Sequence, residues 1–101
     1  MTPIERIQEM EGHLNAYQGL IEELQACLQR VEAGQSRYIA LRDYYTSQVY
    51  MEDVELSNQP DFPDEVYCGV LSEDVVYDLL DEHYQKAVEM LDLATKMLKE
   101  R

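Results

Sequence analysis

Apolar residues recur every seven positions along the first third of the chain. One heptad position holds Ile7, Leu14, Ile21 and Leu28, and another holds Met10, Tyr17, Leu24 and Val31. This spacing is typical of a coiled coil or of a long helix in a bundle. Thr2, Pro3 and Glu5 form a helix-start signature, with a cap, a first-turn proline and a capping box. The pattern therefore predicts a helix over about residues 3–32 that needs a partner of similar length.

A second, shorter helix is predicted after Gly34. Beyond Gly34 and Ser36, the residues Tyr38, Leu41 and Tyr45 resume a helical spacing whose phase is shifted by one residue relative to the heptads. One kinked helix or two helices both fit this pattern. We favour a break near Gly34, because glycine is the weakest helix former apart from proline, and a second helix over about residues 35–47.

The segment from about residue 50 to residue 70 has no helical periodicity. It carries Pro60, Pro63 and Gly69, which favour turns and extended backbone. Its apolar residues predict that it packs on the helices; these are Val54, Leu56, Phe62, Val66 and Tyr67. We therefore expect a long, packed, acidic loop.

The last helix has the clearest start. Ser72 is a candidate N-cap, Glu73 and Asp74 follow in the first turn, and Leu71 and Val76 are spaced as a hydrophobic staple. Steps of four and three then connect Val76, Leu80, His83, Ala87, Met90, Ala94 and Met97. This predicts a helix over about residues 72–100, antiparallel to the first. The expected fold is all-α and a single domain over residues 1–101: two long antiparallel helices plus a shorter one, resembling a three-helix bundle.

The charge of the chain limits its partners. The formal net charge is −13, and the stretch between Arg42 and Lys86 holds twelve acidic residues and no Lys or Arg. Such a chain is unsuited to direct binding of nucleic acid or of anionic membranes. A neutral or basic protein is the expected partner. Neither a membrane-spanning run nor a basic leader is present, so a cytoplasmic location is expected.

Catalytic and metal-binding patterns are weak. His83 lies on the apolar edge of the last helix, and His13 follows Glu9 by one turn, but neither histidine has Glu three positions earlier as a di-iron bundle requires. We expect no enzyme activity, no metal site and no cofactor. Two alternatives remain open: an acidic mimic of nucleic acid, and a small-molecule or metal-dependent enzyme that uses His83.

Tyrosine is the distinctive side chain, with eight copies against one Phe and no Trp. Tyrosine is enriched at recognition surfaces, but it also covers small cores with its hydroxyl in water. The candidate interaction surface consists of Tyr44, Tyr45, Tyr50, Asp53, Glu73, Asp74, Tyr77 and Asp78.

Small residues recur every seven positions on the side of the first helix opposite its apolar seam. Gly12, Gly19 and Ala26 form this candidate dimer stripe, continued by Ala33. Glycine inside a helix costs about 0.5–1 kcal/mol relative to alanine. Close approach of a second subunit and simple tolerance of surface glycine are both open explanations, so a homodimer is one of the expected assemblies.

Several short segments resemble a known family. They are Met10-Glu11, Tyr44-Tyr45 followed by Ser47, Asp53, the run from Gly69 to Asp74, and the run from Tyr77 to Leu80. Together they resemble a family of small uncharacterised proteins, mainly of Gram-positive bacteria, that is described only as a domain of unknown function. The resemblance covers nearly the whole chain. It implies a helical cytoplasmic protein and supplies no reaction, cofactor or site.

The residues of these segments also allow a structural interpretation. Tyr44 and Tyr45, the loop and the start of the last helix are expected to meet at one end of the bundle. Asp53 or Asp78 is then placed to accept a tyrosine hydroxyl or to cap exposed backbone donors. Either this cluster is a clasp that holds the fold together, or it faces a ligand.

Overall fold

The computed structural model describes residues 1–101, and all of its regular secondary structure is helical. The elements are α1 (Pro3–Tyr45), α2 (Gln48–Ser57), a 3₁₀ turn (Gly69–Leu71) and α3 (Glu73–Lys99), and no strand is present. The prediction of an all-α fold is therefore confirmed. Residues 1–38 and residues 39–101 form two units.

The start of α1 follows the predicted cap. The backbone N–H of Glu5 donates a hydrogen bond to Thr2 Oγ1 (3.1 Å), and Glu5 is the acidic residue of the first turn. This arrangement satisfies one of the donors that a helix start leaves without a partner, and it places a negative charge at the positive end of the helix dipole.

The predicted break near Gly34 is absent. α1 runs from Pro3 to Tyr45 without interruption, and Gly34 does not have the positive φ of a helix-ending glycine. The seven-residue series also continues: Tyr38 lies seven residues after Val31, and Tyr45 lies seven after Tyr38. The inferred shift of phase was therefore wrong, because one of the two heptad positions keeps its register across Gly34.

The apolar seam of α1, which comprises the eight heptad residues between Ile7 and Val31, is exposed along its whole length. Its side chains retain between 37% and 66% of their accessible surface, and no residue of α1 is buried. Leu14 and Ile21, which the predicted bundle would bury, are exposed. A heptad seam of this kind is the surface along which a helix pairs with an apolar partner.

α2 occupies part of the segment predicted as a loop, and Ser47 begins it instead of ending the preceding helix. Ser47 has extended backbone angles, and its Oγ accepts a hydrogen bond from the N–H of Tyr50 (3.3 Å). The helix ends before Asn58, and Pro60 follows two residues later, where it cannot disturb helical hydrogen bonds. The second helix therefore lies about a dozen residues further along the chain than predicted.

The connection between α2 and the 3₁₀ turn is irregular, as the prolines predict. Phe62 is half-buried, whereas Val66 is exposed and Tyr67 retains 98% of its accessible surface. The prediction that the loop packs on the helices thus holds for Phe62 and fails for Tyr67.

α3 begins at Glu73, within one residue of the predicted start. Ser72 occupies the N-cap with extended angles, but its side chain makes no capping hydrogen bond; its carbonyl accepts from the N–H of Val76 (3.3 Å). Lys96 and Lys99 lie in the last turn, where the helix dipole favours positive charge. Val76 is 2% exposed, whereas Met90, at the middle of the helix, retains about half of its surface.

Candidate functional site

A cluster of three tyrosines joins the end of α1 to α2. The ring of Tyr50 lies edge-on to the rings of Tyr44 and Tyr45, with centroid distances of 5.5 Å and 5.2 Å. Tyr50 retains only 5% of its surface, so it and Val76 form the buried core of residues 39–101. Edge-on aromatic pairs at this spacing are favourable beyond their buried area.

Two tyrosine hydroxyls close this cluster into a clasp. The Tyr44 hydroxyl donates to Asp53 Oδ2 (2.6 Å), and the Tyr50 hydroxyl donates to the carbonyl of Leu71 (3.1 Å). Ser47 Oγ donates to the carbonyl of Tyr44 (2.6 Å). Of the two acceptors considered from the sequence, Asp53 is the one that receives a tyrosine hydroxyl. The clasp therefore links α1, α2 and the 3₁₀ turn through hydrogen bonds that side-chain hydroxyls donate.

The short hydrogen bond to Asp53 changes the acidity of Tyr44. This bond raises the pKa of Tyr44 to about 12, and partial burial and the negative charge of Asp53 act in the same direction. The neutral phenol is favoured because it donates to the carboxylate, whereas a phenolate would repel it. Tyr44 therefore stays protonated well above the ordinary tyrosine pKa of about 10.

Replacing Asp53 by asparagine is expected to return the pKa of Tyr44 toward 10. Because the folded-state pKa exceeds the unfolded one, the hydrogen bond from Tyr44 to Asp53 contributes fully below pH 10, and this contribution is lost as the pH rises toward 12. Ultraviolet titration of the chain against Tyr44→Phe isolates this phenol. The urea concentration at half-unfolding, measured across the same pH range, should fall as the pH rises from 10 to 12. A Tyr44 midpoint near 10 in the unaltered chain would contradict the assignment.

An open depression of about 320 Å³ lies beside the clasp, lined by Tyr45, Tyr50, Met51 and Glu73. Two aromatic rings and a thioether form its apolar walls, and Glu73 contributes the only charge. Partial burial raises the pKa of Tyr45, and the negative charges of Glu73 and Asp74 raise it further. The depression therefore combines a negative potential with aromatic walls, a chemistry that suits a cationic side chain.

The other predicted surface residues line the first turns of α3. Asp74, Tyr77 and Asp78 are exposed, and Tyr77 retains 63% of its surface. The eight candidate residues thus divide into two groups. Tyr44, Tyr50 and Asp53 make internal hydrogen bonds, and the remaining five are available at or near the surface.

The candidate dimer stripe on α1 faces open space. A Cβ atom added at Gly12 or Gly19 would meet no atom within 4 Å, and Ala26 is exposed. Nothing within the chain therefore requires glycine at these positions. Cys27, on the same helix, is also exposed, although its residue type predicts burial.

The histidines lie apart from the depression. His83 is half-buried on α3 and does not line the depression, and His13 Nε2 lies 3.8 Å from Glu9 Oε1 on α1. No group of three or more His, Cys, Asp or Glu side chains is arranged to hold a metal ion. No helix combines the length and the apolar character that a membrane span requires.

Sequence reasoning missed Met51 and Leu71 as neighbours of the clasp. Met51 lies on α2, and Leu71 is contacted by Tyr50 of α2, a helix too short to show clear periodicity in the sequence. One signal was present: Ser47, three residues before Tyr50, has the residue type of an N-cap. Had Ser47 been taken as a helix start, Tyr50 and Val54 would have fallen on one face of α2.

The chain matches a family model. The model described as “Domain of unknown function (DUF4298)” matches residues 7–93. No curated protein matches the chain, and no solved structure does. The matched range contains the seam, the clasp and the depression.

Proposed function

The chain belongs to this family of unknown function, and from that premise we propose that it is a non-enzymatic interaction module that binds a basic segment of a protein partner. The observation that carries the proposal is the depression in which Tyr45 and Tyr50 meet the carboxylate of Glu73. A lysine or arginine side chain fits this chemistry, because its methylene stem packs on rings while its charged end lies near a carboxylate. The cytoplasmic location expected from the sequence is part of the same proposal.

The surroundings of the depression support binding of several cations at once. No Lys or Arg lies between Arg42 and Lys86, so no basic side chain from this stretch neutralises the exposed carboxylates of Asp74 and Asp78. One basic side chain would enter the depression, and neighbouring ones would meet these carboxylates. Exposed charges of this kind mainly accelerate encounter and make it sensitive to salt.

A lysine- and arginine-rich peptide provides the test. We expect the double variant Glu73→Gln, Asp74→Asn to bind it about tenfold more weakly than the unaltered chain, since two favourable charge contacts are lost. Fluorescence anisotropy with a labelled peptide measures the affinity over a range of salt concentrations. A peptide with glutamine in place of every basic residue should not bind.

A matched control separates a site from a general effect of charge. Glu22 and Glu23 are exposed on α1 and lie outside residues 39–101, so Glu22→Gln, Glu23→Gln removes the same charge elsewhere. This control should bind almost as well as the unaltered chain. Equal weakening in both double variants, or affinity that does not change with salt, would rule out the proposed site.

A further inference from the structure

Neither the clasp nor the depression accounts for the exposed apolar seam of α1. From its residues we propose that positions 7–31 pair in parallel and in register with the same positions of a second copy of this chain, forming a two-stranded coiled coil. This pairing uses the apolar seam and leaves Gly12 and Gly19 on the outer side. It is independent of the proposed peptide binding, because it involves a different surface.

The area of the seam is sufficient for a dimer. Its eight side chains keep between 37% and 66% of their surface exposed. Covering them in two copies would bury on the order of 1,000 Å² of mainly apolar surface, before flanking residues are counted. Stable protein interfaces bury roughly 1,200–2,000 Å² in total. Pairing of the seam together with its flanks reaches this range.

The surface of α1 already has the shape that such a pairing needs. An open groove of about 370 Å³ is lined by Leu14, Tyr17, Gln18 and Ile21, with Glu22 at its side. The first four residues occupy consecutive heptad positions a, d, e and a, which is the set that surrounds an inserted side chain in a coiled coil. In the parallel arrangement, Tyr17 of the second copy enters this groove.

The charges beside the seam select the parallel direction. Residues at heptad position g of one parallel helix face residues at position e, five further along, of the other. Arg6 then faces Glu11 of the second copy, twice in the dimer, and no acid faces an acid. In the antiparallel arrangement that aligns the seam, with Ile7 opposite Val31, Glu11 instead faces Glu32. Facing like charges disfavour that direction.

The acidic character of the chain presents little obstacle to this pairing. Residues 1–38 contain six acidic and three basic side chains, which gives −3 of the total of −13. The remaining charge of −10 belongs to residues 39–101. Two copies therefore meet along the least charged part of the chain. In a parallel pair both chains continue beyond residue 31 from the same end of the coiled coil.

Light scattering combined with size-exclusion chromatography gives the first test. The unaltered chain should have twice the mass of one 11.8 kDa chain. Leu14→Gln, Leu24→Gln should weaken association at least about a hundredfold, because two core layers become polar. Gly12→Ala, Gly19→Ala should keep the mass of two copies. A mass of one copy, as expected if α3 of the same chain covers the seam, would overturn the proposal, as would any mass other than that of two copies.

A charge exchange tests the direction. Arg6→Glu and Glu11→Arg, made separately, should each weaken the dimer about tenfold at low salt, and the two changes combined should restore it. Within one chain these residues are five apart and do not face each other, so a local effect on the helix would not produce this restoration. Weakening without restoration, or no effect of either change, would exclude the parallel register. One of these results is expected if α3 of another copy covers the seam.

Discussion

Replacing Tyr50 by alanine is expected to unfold the clasped part of the chain, at a cost of about 3–5 kcal/mol. Tyr50 is one of the two buried apolar residues, it contacts the rings of Tyr44 and Tyr45, and its hydroxyl bonds to the carbonyl of Leu71. So small a core has no other side chains to fill the cavity. Amide hydrogen exchange of residues 47–72 measures this loss of stability directly, because exchange in this segment is followed separately from exchange in α1.

Tyr50→Phe separates the contribution of the ring to stability from that of the hydroxyl, and Tyr67→Ala is the control at an exposed tyrosine. Tyr50→Phe keeps the ring and loses only the hydrogen bond, so a cost of about 0.5–1.5 kcal/mol is expected. Tyr67→Ala removes an equally large ring that retains 98% of its surface, and it should leave the exchange pattern unchanged. A cost for Tyr50→Ala no greater than that for Tyr67→Ala would contradict the clasp as the core of this unit.

Introducing proline at Gly34 is expected to break α1 at a cost of about 3 kcal/mol or more. Position 34 lies inside an uninterrupted helix, where proline removes the hydrogen bond to the carbonyl of Arg30 and its ring collides with that carbonyl. Circular dichroism should show lost helix, and exchange should accelerate on both sides of residue 34. The amides of residues 47–72 should keep their protection.

The matched change Gly34→Ala has the opposite sign. A Cβ atom at this position meets nothing within 4 Å, so alanine should stabilise α1 by about 0.5–1 kcal/mol. If residues 32–36 instead formed a turn between two helices, proline would be tolerated there and alanine would bring no gain. The two substitutions together therefore distinguish one helix from two.

Helix starts were predictable from the sequence because they depend on a few neighbouring residues. The cap at Thr2 and the start of α3 at Glu73 both follow from local hydrogen bonding and from charge near the helix dipole. The heptad seam was predictable for the same reason, because it depends only on residue spacing along one helix. What covers that seam is not local, and the spacing of apolar residues on one helix does not identify the helix that pairs with it.

The two errors about helix boundaries also have a physical origin. Glycine at position 34 disfavours the helix by about 1 kcal/mol relative to alanine, which is too little to end a helix that continues on both sides. α2 was missed for the opposite reason: its short length gives little periodicity, and its stability comes from the burial of Tyr50 and the cap at Ser47. Continuation of the helix thus outweighed the weak local signal at Gly34, whereas burial of Tyr50 stabilises α2.

The candidate site was predictable in part. The sequence left Asp53 and Asp78 as alternative acceptors of a tyrosine hydroxyl, and the structure identifies the pair as Tyr44 and Asp53. The depression was not predictable, because Met51 reaches it only through α2. The division of the tyrosines between clasp and surface likewise depends on distances that composition does not contain.

Distances between spin labels in the assembled protein test the parallel coiled coil of α1 most directly. Gln8→Cys and Gln29→Cys, each in a chain with Cys27→Ala and Cys68→Ser, place one label near either end of the seam on its outer side. In a parallel, in-register pair both variants should give one short distance between copies, about 20–30 Å. An antiparallel pair would separate both label pairs to more than about 35 Å. Long distances in both variants, or no dipolar coupling at all, would contradict the account.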